Sequence, residues 1–187
     1  MPKSSQITKR KRLQKSHCQI NQTQIKKSLK KEKISKNGLD NVQIELILEN
    51  CSNFFGCYAQ DELKHISIDS LPYFLIINFD HSYSGGTHWI ALRIGKQTIE
   101  IFDPLGFNSL RWPNIPHFLL NFLHRYSQHR CIISSKEIQP SNSTMCGFYC
   151  IFFVYFRSFR TFSYCVNTFS NILSKNDSIL THILNKL

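Results

Sequence analysis

Acidic residues are nearly missing from the first 38 positions of this 187-residue chain, where Glu32 stands alone against twelve Lys and Arg. The whole formal net charge of +11 therefore sits in that segment, and residues 39–187 are balanced. An electroneutral body with a cationic arm is not a uniformly basic packaging protein. Long apolar runs are lacking too. The longest, FYCIFFVYF over 148–156, is under half of the ~20 residues that a membrane-spanning helix needs; no membrane span is expected, and the run reads as a buried helix. No apolar stretch follows the N-terminal charge, so no secretory leader is expected. Neither Cys-x-x-Cys nor His-x-x-x-His occurs, which argues against a metal site. Seven cysteines, at 18, 51, 57, 131, 146, 150 and 165, form no tight framework and are expected as reduced thiols.

What is present is enough apolar material for one core, with 42% hydrophobic and 13% aromatic residues at a length typical of one domain. Two parts are expected: a flexible basic arm over 1–38, too polar to offset its ordering entropy, and a folded domain over 39–187. Within the domain, 41–49 reads as a short helix, 51–58 (CSNFFGCY) as an aromatic loop and 72–79 (PYFLIINF) as a buried strand. Two alternating runs, 88–94 and 98–102, read as a hairpin. Beyond it, 116–126 reads as a helix, 131–135 as a short strand, 146–160 as an apolar helix and 176–187 as a last helix. The order implies a compact α+β domain with a small mixed sheet and a buried helix.

If Gly95-Lys96 forms a two-residue type II′ loop, the hairpin pairs Ile90 with Ile101, Trp89 with Phe102, and His88 with Asp103 at its open end. Opposed residues have Cβ atoms roughly 5 Å apart, so Asp103 can hold one imidazole nitrogen and leave the other facing outward, as an orienting carboxylate does for a base. A turn-capping Asp beside an ordinary strand-end His has the same pattern, so a nucleophile must be found independently. The segment 139–150 (QPSNSTMCGFYC) supplies one. Ser143 or Thr144 is the expected N-cap, which places Cys146 in the first turn, where the helix dipole favours a thiolate. Gly147 lets backbone approach beside it. A cysteine opening a buried helix can equally be a small core hydrophobe, which is the role expected of Cys150.

Three motifs combine these residues: Gly-x-His-Trp over 86–89, Phe-Asp-Pro-x-Gly-Phe over 102–107, and Gln-x6-Cys-Gly over 139–147, preceded by Phe-Phe-Gly-Cys-Tyr over 54–58. Together they resemble the adenovirus-type cysteine protease family, adenain, whose relatives include proteases of Polinton/Maverick elements. The resemblance implies an adenain-like α+β fold, with neutral His88 as general base, Asp103 as its orienter, Cys146 as nucleophile and Gln139 as oxyanion donor. It also implies cleavage of capsid precursor proteins by a monomer, with DNA and an activating peptide as cofactors and no metal. Cys131 resembles the cysteine to which that peptide is joined, although the same position reads as an ordinary half-buried strand cysteine. Lys9, Arg10, Lys11 and Arg12, with Lys26, Lys27, Lys30 and Lys31, are the expected sequence-independent DNA contacts; such a basic cluster also fits nuclear targeting, and nucleus and virion are the expected locations. The chain departs from the adenovirus pattern in its shorter body, its long basic arm and an Asp where Glu is common, which is closer to the transposon branch. Enzymes that remove SUMO or ubiquitin-like modifiers share this residue order and remain an alternative, as does, from another class, a non-catalytic nucleic-acid-binding module.

Overall fold

The computed structural model describes residues 18–35, 37–68, 72–107 and 115–187. Lys9, Arg10, Lys11 and Arg12 lie outside the described residues. In chain order come α1 (Gln22–Ser35), α2 (Asn41–Leu48), β1 (Phe54–Ala59), a 3-10 turn (Gln60–His65), β2 (Tyr73–Asn78), β3 (Trp89–Ile94) and β4 (Thr98–Phe102). Then follow α3 (His117–His124), β5 (Arg130–Ile133), α4 (Cys146–Arg157), α5 (Phe162–Asn167), a second 3-10 turn (Leu173–Lys175) and α6 (Asn176–Lys186). The strands lie in sequence order across one sheet. β2, β3 and β4 are antiparallel, while β1 and β5 are added parallel at the two edges. The fold is α+β with a mixed sheet, as expected. Among the described residues no helix is long and apolar enough to cross a membrane.

The sheet is covered on both faces, which is why β2 is buried throughout and its sequence is a continuous apolar run. On one face Leu75, Ile77, Ile90, Leu92, Ile99 and Ile101 pack against Leu63, Leu119 and Phe122. On the other, Phe74, Ile76, Ala91 and Phe102 meet α4, with Phe153 stacked on Phe102 at 4.6 Å between ring centroids and edge-on to Phe74 at 6.0 Å. Its far end is tied down by Glu100, buried between Arg93 (3.0 Å) and Arg157 (2.7 and 2.8 Å). Sheet on one side and α1, α2 and α6 on the other enclose α4, so residues 146–154 are all buried. A helix apolar all round is stable only in such a place.

Four expectations are corrected. The hairpin turns one residue later than Gly95-Lys96: the pairs are Ala91 with Phe102, Leu92 with Ile101 and Arg93 with Glu100. This two-residue slip keeps every side chain on its expected face, because the strand period is two. Segment 51–58 is not merely a loop, since Phe54–Ala59 pairs with β2 through an irregularity between Phe54 and Gly56; the glycine that suggests a loop marks a bulge. Residues 22–35 of the supposed flexible arm form α1. Asn21 caps it by accepting from the Gln24 N–H at 3.1 Å, and Ile25 and Leu29, four apart, join the core. Finally, Cys18 and Cys51 are joined in a disulfide rather than reduced. The two cysteines are brought together by an antiparallel bridge between segments 33 residues apart, a pairing that sequence spacing does not reveal.

Candidate active site

The site lies where β3 and β4 end and α4 begins. His88 immediately precedes β3, and its loop is anchored by the Thr87 N–H donating to Asp80 and by the Phe79 N–H donating to the His88 carbonyl. Asp103 immediately follows β4. Both lie past the last ladder pair of the hairpin and meet diagonally, with His88 Nε2 2.8 Å from Asp103 Oδ1. The same oxygen accepts from the Leu105 N–H at 2.9 Å. With Nε2 committed to Asp103, Nδ1 is left for the side of the ring away from the carboxylate, and Cys146 lies near enough to raise the imidazole's pKa. All three are nearly enclosed, at 9%, 4% and 7% exposure for His88, Asp103 and Cys146.

Cys146 is the first residue of α4, and the N-cap is Met145 rather than Ser143 or Thr144. Ser143 serves one step earlier, its Oγ accepting from the Met145 N–H at 3.1 Å. No side chain caps the helix, so the first-turn amides and the positive end of the dipole face the sulfur's surroundings. Gly147 does admit a close neighbour: a Cβ there would lie 3.1 Å from the Leu39 Cβ. The Leu39 carbonyl in turn accepts from the Trp89 indole at 2.9 Å, so the connector before α2 bridges the histidine side and the cysteine side of the site.

Burial alone would lower the pKa of His88. The hydrogen bonds to Asp103 and Cys146, with the charges on both, outweigh it and raise the pKa to about 9. The imidazole thus sits between the Asp103 carboxylate on one side and the Cys146 sulfur on the other, and both partners favour its protonated form. Cys150, one turn further into α4, is fully buried and its thiol donates to the Trp89 carbonyl at 3.3 Å. Burial pushes its pKa well up, so it is a packed thiol.

Gln139, 2% exposed, lies in the loop leading to Cys146. Its Nε2 donates to the Ser143 carbonyl at 2.7 Å, which orients the amide and uses one of its two hydrogens. Its Oε1 is buried without a partner. The loop is held from two sides that sequence reading missed. The Pro104 carbonyl accepts from the N–H groups of both Ile138 and Gln139 (3.0 and 2.8 Å), and the fully buried Asn176 side chain donates to the Ile138 carbonyl at 2.8 Å. These contacts join residues tens of positions apart, and no spacing signals them.

The other expected residues lie elsewhere. Cys131 is an exposed free thiol on β5, whose outer edge no described strand covers; partial burial of the sulfur raises its pKa. Lys26, Lys27, Lys30 and Lys31 are exposed on α1, opposite the buried Ile25 and Leu29. Among the described residues no group of three or more His, Cys, Asp or Glu could hold a metal ion.

The family model for adenovirus endoprotease matches residues 54–186, a span that holds His88, Asp103, Gln139 and Cys146. The chain belongs to this family. The adenovirus endoprotease relatives include the protease of Bovine adenovirus 7, 32% identical over 151 residues that cover 73% of this chain and 71% of that one. The protease of Bovine adenovirus C serotype 10 is 30% identical over 52% of this chain and 65% of its own, and that of Ovine adenovirus D serotype 7 is 36% identical over 43% and 44%. The chain thus spans less than two thirds of the length of several relatives it matches. Among solved structures, the ASFV pS273R protease is similar at 18% identity and a TM-score of 0.40, over 61% of this chain and 43% of that one.

Proposed function

We propose that this member of the adenovirus endoprotease family is a cysteine endopeptidase that matures capsid precursor proteins, acting as a monomer in the nucleus and the virion. The observation that carries the reading is His88 held between Asp103 and Cys146 at the open start of a buried helix. His88, whose pKa is raised by its contacts with Asp103 and Cys146, takes the Cys146 proton. The thiolate attacks the scissile carbonyl carbon, forming a C–S bond as the carbonyl π electrons move onto oxygen. That oxyanion is received by the Cys146 N–H and the free Gln139 N–H. Collapse breaks the C–N bond, and His88 gives its proton to the departing amine. Water then attacks the thioester carbon with His88 accepting its proton, the C–S bond breaks with its electrons returning to the Cys146 sulfur, and the acid is released with the pair restored. Asp103 holds the imidazole orientation throughout.

Two partners are proposed with it. DNA is bound without sequence preference by the basic arm and by the lysines that α1 turns to solvent. An activating peptide is joined through Cys131, whose exposed position on an uncovered edge strand suits both a disulfide and an added strand. Cleavage of a capsid-precursor peptide by the purified protein and by Cys146→Ala tests the enzyme reading. Turnover should vanish in the variant, and equal turnover would refute the assignment.

A further inference from the structure

We propose that Ser134, one residue past β5, is a positioning residue for the Asp103 carboxylate, setting it against His88 through two hydrogen bonds to the backbone of residue 103. The inference rests on Asp103 being the orienter described above. Ser134 is 2% exposed. Its Oγ accepts from the Asp103 N–H at 2.9 Å and donates to the Asp103 carbonyl at 3.2 Å. The ladder explains why a side chain does this work. β4 and β5 pair as far as Ile101 with Ile133, after which the chain must turn sharply through Asp103-Pro104-Leu105-Gly106. The Ser134 N–H still donates to Ile101 (3.0 Å) and its carbonyl still accepts from Phe107 (2.9 Å). Its backbone thus grips both ends of the turn while its hydroxyl grips the middle.

The carboxylate has little freedom of its own. Asp103 Oδ1 is divided between His88 Nε2 and the Leu105 N–H, so its place follows from the backbone that Ser134 fixes. The same turn presents the Pro104 carbonyl to Ile138 and Gln139. A shift at residue 103 therefore reaches the orienter and the oxyanion loop together. The groups that face His88 are Asp103 from the turn, Cys146 from α4 and the uncharged Phe79 ring. Of the two ionisable partners, only Asp103 is held by Ser134.

The test is the pH dependence of peptide cleavage by Ser134→Ala, Ser134→Thr and Asp103→Asn beside the natural protein, with rates referred to active sites titrated by a thiol reagent. Ser134→Ala should lower kcat roughly 10- to 100-fold with KM little changed, and should move the basic limb to lower pH because His88 loses part of its contact with the Asp103 carboxylate. Ser134→Thr, which keeps the hydroxyl, should restore most of both. A Ser134→Ala enzyme that melts earlier but keeps kcat and the limb, or a Ser134→Thr enzyme as impaired as the alanine variant, would overturn the proposal. If Ser134→Ala fails to fold, Ser134→Cys, with its weaker hydrogen bonds, carries the same expectation and the same contradiction. Full activity in Asp103→Asn would instead refute the orienter reading itself, so the two failures are told apart.

Discussion

His88 shows how much one contact can change a side chain. Burial by itself would push the His88 pKa down, yet the contacts with Asp103 and Cys146 raise it to about 9. Two outcomes are expected. The free-enzyme profile of kcat/KM should fall as pH rises through about 9, where the proton destined for the leaving amine is lost. Because the folded value lies above the ordinary histidine value of 6.5, the pair's stabilisation is complete below that pH and drains away as pH rises toward and through 9. Urea midpoints measured across that window should fall, and a flat profile would contradict the pair. Gln139→Ala should cost ~100- to 1,000-fold in kcat with little change in KM, since the donated bond forms only in the transition state. At this scale the sequence was informative. His88, Asp103, Cys146 and Gln139 are legible from motif and placement, although Asp103 was reached through a hairpin register wrong by two, an error that left it on the right face. The supports at Ser134, Pro104 and Asn176 were not legible, because each acts on a partner brought near only by folding.

The elements were legible where their hydrophobic period was strong and hidden where it was thin. The buried run in α4 reads as a helix because of its length, despite aromatic residues that favour strands. Phe153, wedged between Phe74 and Phe102, should cost ~3–5 kcal/mol when cut to alanine, read as a fall in the urea midpoint at unchanged m. The first helix escaped because its apolar stripe is narrow, with Ile25 and Leu29 set among lysines, so composition alone suggested a chain that could not fold. Its attachment is completed by the Cys18–Cys51 disulfide and by the Asn21 N–H donating to Ile47 at 2.8 Å. The double variant Cys18→Ser, Cys51→Ser should lose about 2–4 kcal/mol of stability, as expected for a closed loop of this length. A reductant should destabilise the natural protein and leave that variant unmoved.

At the scale of the whole molecule, the charge and the candidate site are separate. The neutral body holds His88, Asp103, Gln139 and Cys146, while the positive charge lies in the first 38 residues. Removing residues 1–17 should weaken duplex DNA binding and flatten its salt dependence while leaving cleavage of a short peptide intact; neutralising Lys26, Lys27, Lys30 and Lys31 should weaken binding further. Deleting residues up to 38 is a different experiment, because it also removes Ile25 and Leu29 from the core and breaks the disulfide. The central claim, that His88 activates Cys146 as the nucleophile, is tested most directly by alkylating the protein with iodoacetamide at about pH 6, where ordinary thiols are protonated, and locating the label by mass spectrometry. Rapid labelling confined to Cys146, and lost in His88→Ala, is the predicted result; a Cys146 that stays unlabelled at that pH, or reacts equally fast without His88, would contradict it.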